Sequence, residues 1–255
     1  MALHKDLSLT NRLISMLPSL ERGLLLEHSE LVELKLHTVL MEAGQSPDHA
    51  YFPVDSFVSL IRHVEDSPDI EVALIGNEGM FNISLVLGVP ESPFTGLVQG
   101  AGRAFRIHRR ALGMRRAEDA RLREVLYRYI HIRSSHLSQQ AACMNYHSVE
   151  QKLARALLMT RDRAHASELF LTHESLALMM GVRRESVSQA ARLFQNRGLV
   201  SYTRGYVMLL DEAGLESVSC KCYETDLKVY EQTMSPLTHP EGKLEADRQQ
   251  SMVLC

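Results

Sequence analysis

Between residues 31 and 108 the chain breaks into seven short strand-like runs: "LVELKL", "TVLME", "AYFPV", "SFVSLIRHV", "DIEVALI", "TGLVQ" and "GRAFRIH". Turn-forming clusters separate them, among them "EAGQSPDH", "EDSPD", "GNEG" and "GVPESP". Runs this short leave no room for the long crossovers that parallel strands need, so an antiparallel roll or barrel is expected. From about Glu118 to Asn145 the period changes to that of one long helix. Leu122, Val125, Tyr129, Ile132 and His136 form one stripe along it, and Leu126, Ile130 and Leu137 form a second. One stripe can pack on the roll and the other on a symmetry mate, as in a coiled coil. The first stripe, Leu122 to His136, is the expected dimer seam.

A second helix opens at "HSVEQKLARALL". Ser148 with Gln151 three residues on is a capping box, which places a hinge at 144–147. Then comes "LTHESLALMMGVRRESVSQAARLFQNRGLV", residues 171 to 200. Thr172 is a good N-cap, Leu176 and Met180 point inward, and the small Ala177 lets a second helix approach. Gly181 permits the left-handed residue of a sharp turn. Val187, Ala190 and Phe194 then face the core. Arg184, Glu185, Ser188, Gln189 and Arg192 are left on the outer side, with Arg183 just before the helix. These side chains can bond base edges: arginine reads guanine, glutamate reads cytosine, glutamine reads adenine. "GLVSYTRGYVMLLD" follows as two strands around Arg204-Gly205, a wing that places Arg204 against phosphate. Thr172, Arg183 and Arg192 are the other expected backbone contacts.

Charge supports this division. The chain carries a formal net charge of -3. From Ser148 to Leu210, however, nine basic residues stand against five acidic ones, a local surplus of four that favours a polyanion. No apolar run approaches the roughly 18 residues of a membrane span. "MALHKDLSLTNRLISML" lacks the apolar centre of a secretory signal, so a cytoplasmic protein with no membrane partner is expected. The four cysteines form no disulfide framework. Cys143 and His147 stand four apart, and Cys220 and Cys222 flank Lys221, but no complete ligand set is evident. No metal and no cofactor is therefore expected.

The order of roll, long helix, capped helix, helix-turn-helix and wing resembles the Crp/Fnr family of bacterial transcription regulators. "VRRESVSQAARLFQNRGLV" resembles the family's recognition segment, with its Arg-Glu-x-Val core at Arg184 to Val187. The resemblance covers residues 10 to about 230. It implies that Arg184, Glu185 and Gln189 read bases, that double-stranded DNA and a second copy of the chain are partners, and that RNA polymerase is a further one. Gln189 stands where the cyclic-AMP receptor protein has arginine, which implies a different target sequence. Cyclic-AMP-binding members hold their ligand with a Gly-Glu-Leu and an Arg-Ser-Ala segment. The matching stretches here are "GMFNISLVLG" and "PESPFTGLVQ", with Ser84 in place of the glutamate and no arginine near Pro93 to Thr95. Ser84, Thr95 and Arg133 are the candidate effector-pocket residues, for an unknown small molecule in place of cyclic AMP.

The expected fold is α+β: an antiparallel β-roll (jelly roll), a long dimerisation helix and a C-terminal winged helix-turn-helix. The expected divisions are 1–116 (sensor), 117–145 (dimerisation helix and hinge), 146–213 (DNA-binding unit) and 214–255 (a partly mobile extension). The expected function is sequence-specific DNA binding as a homodimer, not enzymatic. Two other readings compete with it. One is a scaffolding roll whose C-terminal helices bind protein. The other is a cupin-like metalloenzyme, for which the His-x-His pattern is missing.

Overall fold

The structure is a computed structural model, and it describes residues 11–66 and 69–235. Two short helices, α1 (Arg12–Ser15) and α2 (Ser19–Glu27), lead into the sheets. Asn11 caps α1 and also donates its side-chain amide to the carbonyls of Pro53 (2.9 Å) and Gly79 (2.7 Å), which anchors the entry of the chain.

Strands β1 (Ser29–Leu34), β2 (Val39–Met41), β3 (His49–Pro53), β4 (Phe57–Arg62) and β5 (Ile70–Ile75) follow. After the one-turn helix α3 (Ser84–Leu87) come β6 (Thr95–Gly100) and β7 (Gly102–His108). All seven runs read from the sequence are strands. They form two antiparallel sheets, β1-β7-β3 and β2-β6-β4-β5. Alternate residues from both sheets fill the space between them: Leu34, Met41, Tyr51, Val58, Leu60, Ile75 and Val98, with Phe81 from the loop before α3. Gly96 has to be glycine, since a Cβ there would lie 2.1 Å from the Phe81 ring.

Helix α4 (Arg109–Glu118) leads to the long α5 (Ala120–Tyr146), whose N-cap Asp119 accepts from Leu122 N at 2.9 Å. Here the structure corrects the sequence reading. Leu122, Tyr129 and Ile132 are buried within their own chain, against Phe52, Phe105 and Ile107 of the roll and Tyr230 and Met234 near the C-terminus. Val125 packs at the margin of the same core, and His136 is nearly covered. The stripe assigned to a dimer seam is instead the stripe that attaches α5 to the roll. The face left open carries Tyr127, Ser134, Leu137 and Ala141.

The chain breaks at His147 and resumes as α6 (Val149–Ala164), with both halves of the Ser148/Gln151 capping box formed. Strand β8 (Glu168–Phe170), helices α7 (His173–Met180) and α8 (Arg184–Asn196), and strands β9 (Val200–Thr203) and β10 (Tyr206–Leu209) complete a winged unit with sheet order β8-β10-β9. β8 is a third wing strand that the sequence reading does not include. The core of this unit contains Leu153, Leu157, Leu176, Val187, Phe194 and Val207, and it takes in Phe57 and Leu74 from the roll. Asn77 N donates to Arg163 O (3.1 Å), and Gly76 lies so close to Arg163 that a Cβ would come within 2.5 Å. The described part of the expected extension, residues 214–235, falls mostly in α9 (Glu212–Val218) and α10 (Cys222–Met234), which pack on α6 and α5. The remainder of it, read as a mobile tail, lies outside the described residues.

Candidate nucleic-acid interface

Local chemistry sets the corner between α7 and α8. Thr172 Oγ1 accepts from Ser175 N (3.1 Å) and so starts α7. Gly181 ends it in the left-handed conformation (φ 60°), and Val182 N returns to Ala177 O (3.1 Å). Val187, Ala190, Ala191 and Phe194 hold α8 in the core by one face. The opposite face exposes Arg184, Glu185, Gln189 and Arg192. Four-residue steps from 184 and 185 place these side chains on one side of the helix, free of the core. Arg184 Nε lies 3.8 Å from Glu174 Oε2 in an exposed pair, which is weak enough to yield to another acceptor.

Ser188 does not share this freedom. Its hydroxyl lies 3.1 Å from Arg184 O and 2.9 Å from His173 Nδ1, and the His173 ring meets Tyr202 edge-on at 5.1 Å. Ser188 therefore ties α8 to α7 and, through His173, to the wing. The Thr172 hydroxyl is likewise committed to its cap. Arg183 precedes α8 without a side-chain cap bond, as the sequence suggests. With Arg184 it borders a cleft of about 870 Å³ whose far wall is the roll, at His37, Asp69 and Gln99. Arg204 stands at the wing tip. It and Gly205 both have positive φ (50° and 88°), the two-residue turn whose twist suits a tight hairpin.

The three effector-pocket residues do not meet. Thr95 Oγ1 accepts from Ala43 N (3.2 Å) and donates to Glu42 Oε2 (3.3 Å) at the mouth of β6. Ser84 begins α3, its hydroxyl buried with no hydrogen-bond partner. Arg133 belongs elsewhere, in a cavity of about 50 Å³ between β5, α5 and α6. That cavity is also lined by Glu71, His136, Gln140, Arg155 and Arg163. It has room for a few waters at most, far less than the several hundred Å³ of a nucleotide site.

Sequence reasoning missed these polar groups. Glu71 is fully buried and accepts from Ser59 Oγ at 2.5 Å. Burial pushes its carboxyl up to about 7, against the pull of Ser59 and Arg163. Burial also holds His136 down to about 4, despite the nearby carboxylate of Asp226. Asp226 pairs with Arg155 at 2.6 Å and joins α10 to α6. The alternation of "DIEVALI" does not reveal this, because an irregularity in the pairing of β5 with Leu60 and Ile61 breaks the pattern: Glu71 turns to the helix side with Ser59 and Leu74, while Ala73 and Ile75 face the roll interior. Cys143, His147, Cys220 and Cys222 also come together, at the junction of α5, the hinge and α10, although no complete set is visible along the chain.

Residues 151–218 match the Crp-like helix-turn-helix domain. The rest of the chain has the fold of Crp/Fnr regulators. FixK2 from Bradyrhizobium japonicum superposes with a TM-score of 0.63 at 14% identity, over 75% of this chain and 98% of that one. A CRP-family transcriptional regulator from Thermus thermophilus gives 0.63 at 18%, over 74% and 96%. The c-di-GMP responsive global regulator CLP of Xanthomonas campestris gives 0.61 at 17%, over 75% and 99%. At such identities the likeness is one of fold. No curated protein matches in sequence. Among the described residues, no helix is long and apolar enough to cross a membrane.

Proposed function

We propose that this chain is a sequence-specific transcription regulator that binds a two-fold DNA site as a homodimer. One observation carries the reading. The Crp-like unit holds α8 by its apolar face and presents Arg184, Glu185, Gln189 and Arg192 together on the other. Arg184, Glu185 and Gln189 read base edges, while Arg183, Arg192 and Arg204 contact phosphate. The dimer seam lies on the open face of α5, along Tyr127, Ser134, Leu137 and Ala141, with Ile130 at its edge against the roll core. These follow alternating three- and four-residue steps, and the small Ser134 and Ala141 let two helices approach closely. RNA polymerase is the downstream partner, and the cytoplasm is the compartment. Any effector acts at the seam between roll, α5 and α6 rather than inside the roll.

Selection of bound sites from random DNA is the primary test, and the expected product is a palindrome with half-sites about ten base pairs apart. Arg184→Ala should cost roughly 1–3 kcal/mol per half-site and relax preference at one base pair. Arg204→Ala should weaken cognate and random DNA alike and flatten the salt dependence. A chain that selects no DNA while capturing protein through α8 would overturn the reading. Leu137→Glu should split the dimer in sedimentation, and a still dimeric variant would move the seam elsewhere.

A further inference from the structure

The three described cysteines form a buried cluster of their own, apart from the three apolar cores. Cys143 lies on the last turns of α5, and His147 caps that helix at the hinge. Cys220 and Cys222 lie in the turn from α9 into α10. We propose that Cys143, His147, Cys220 and Cys222 form a structural site for one thiophilic divalent cation of the zinc class, which pins the start of α10 to the hinge. The site is separate from the DNA-reading face and does not depend on what α8 binds.

Geometry is the first argument. Cys143 Sγ and Cys220 Sγ are 3.6 Å apart, Cys222 Sγ and His147 Nδ1 are 3.6 Å apart, and all four ligand atoms lie within 4.8 Å of one another. A tetrahedral zinc ion with Zn–S near 2.3 Å and Zn–N near 2.0 Å requires ligand-to-ligand edges of about 3.4–3.8 Å. The set is a slightly expanded tetrahedron that needs only small side-chain movements to close. Three sulfurs and one imidazole nitrogen suit a soft cation and not magnesium or calcium. All four positions are filled by protein, as in structural rather than catalytic sites.

The surroundings agree. Gln139 Nε2 donates to Cys222 Sγ at 2.9 Å, the kind of outer bond that orients a thiolate. The guanidinium of Arg155 is close enough to act on Cys143 and Cys220, and it offsets the net negative charge that three thiolates leave around a dication. Burial alone favours neutral thiols at Cys143 and Cys222. A dication supplies what burial withholds, with the displaced thiol protons passing to solvent. A disulfide is the competing use of these sulfurs. It would need a separation near 2.05 Å, would pair two of three cysteines and would leave His147 without a role.

The test uses the full-length protein, purified under reducing conditions from zinc-supplemented medium. Elemental analysis should find one zinc per chain that survives dialysis. Titration of the stripped protein with Co2+ should give the intense visible bands of a tetrahedral ion and a thiolate charge-transfer band, saturating at one equivalent. The double variant Cys220→Ser/Cys222→Ser should lose affinity by on the order of 100-fold or more, and His147→Ala should weaken it and alter the visible bands. Cys255→Ser should change neither. Zinc should raise the melting temperature of the wild type and not of the double variant. Well under one bound equivalent at zinc saturation, octahedral cobalt bands or an unchanged spectrum in the double variant would each overturn the proposal. So would mild oxidation that links Cys143 to Cys220 in a protein that binds no metal when reduced. If the double variant does not fold, the wild-type cobalt titration and His147→Ala still decide.

Discussion

The inside of the roll and the seam between roll, α5 and α6 lie on two sides of one sheet, and they are built on opposite principles. Inside the roll, Tyr51, Val58, Leu60, Phe81 and Val98 pack on one another, and an opening of about 360 Å³ between β1 and β2, lined by Glu33, Tyr51 and Arg106, lies beside them. At the seam, Glu71, Arg133, His136, Arg155, Arg163 and Asp226 surround a cavity of a few water volumes or pair beside it. In this chain, then, apolar side chains occupy much of the space between the sheets, where the resemblance would place a cyclic nucleotide. Charge is concentrated where the roll meets the helices that carry the DNA-binding unit. The roll interior is suited to holding shape, and the seam to responding to protons or small ions.

The largest test of this contrast is Phe81→Ala. Phe81 is fully buried, touches the Gly96 backbone and packs near Tyr51 (ring centroids 6.0 Å). The variant should lose about 3–5 kcal/mol in urea unfolding, by a similar amount at pH 5 and pH 8. A loss below about 1 kcal/mol would mean that the roll is not tightly filled. Calorimetry of the wild type with cyclic AMP should show no sub-micromolar binding, and such binding would break the contrast outright.

Glu71→Gln addresses the seam and should be strongly dependent on pH. The folded carboxyl titrates at about 7 and the unfolded one near 4.5, so the folded state keeps a proton that the unfolded state loses between these values. That contribution to stability is complete below pH 4.5 and is lost as pH rises through 7. Glutamine keeps an acceptor for Ser59 and carries no charge. The variant should match the wild type below pH 4.5 and exceed it at pH 8 by roughly 3 kcal/mol at most. Parallel stability curves would show that Glu71 is ionised at the seam without penalty.

The smallest effect concerns neither region and serves as a reference. Arg204 holds its wing-tip position at the cost of a left-handed backbone, so Arg204→Gly should stabilise by about 0.5–1 kcal/mol in thermal unfolding while weakening any DNA contact. A destabilised variant would mean that the Arg204 side chain holds the wing.

What can be read from the sequence divides along the same line as the contrast. Strands and caps depend on neighbours close in the chain. The runs from "LVELKL" to "GRAFRIH" therefore mark β1 to β7, and Thr172, Gly181 and Ser148 stand at the predicted helix ends. The two stripes of α5 are both visible, but spacing states which residues share a face and not what covers it. Leu122 and Tyr129 are consequently assigned to a partner when they meet their own roll. The cysteine set is less legible still. Cys143 and Cys220 are 77 positions apart, and only the return of α10 along α5 brings them together. Ser188 escapes the sequence reading for a similar reason, since its bond to His173 depends on a ring fifteen residues away.

The two-residue break at His147 and Ser148 makes α6 a lever arm. The helix has 16 residues, about 24 Å at 1.5 Å per residue. A rotation of only ten degrees at the break carries its far end through about 4 Å. The rise between successive base pairs is about 3.4 Å. A change in angle of that size is therefore enough to shift the reading face of α8 by about one base pair, and it has to break the Asn77 N–Arg163 O bond and shift α6 against Phe57 and Leu74. Whatever stiffens or loosens that one joint would decide whether two such faces fit the same stretch of DNA.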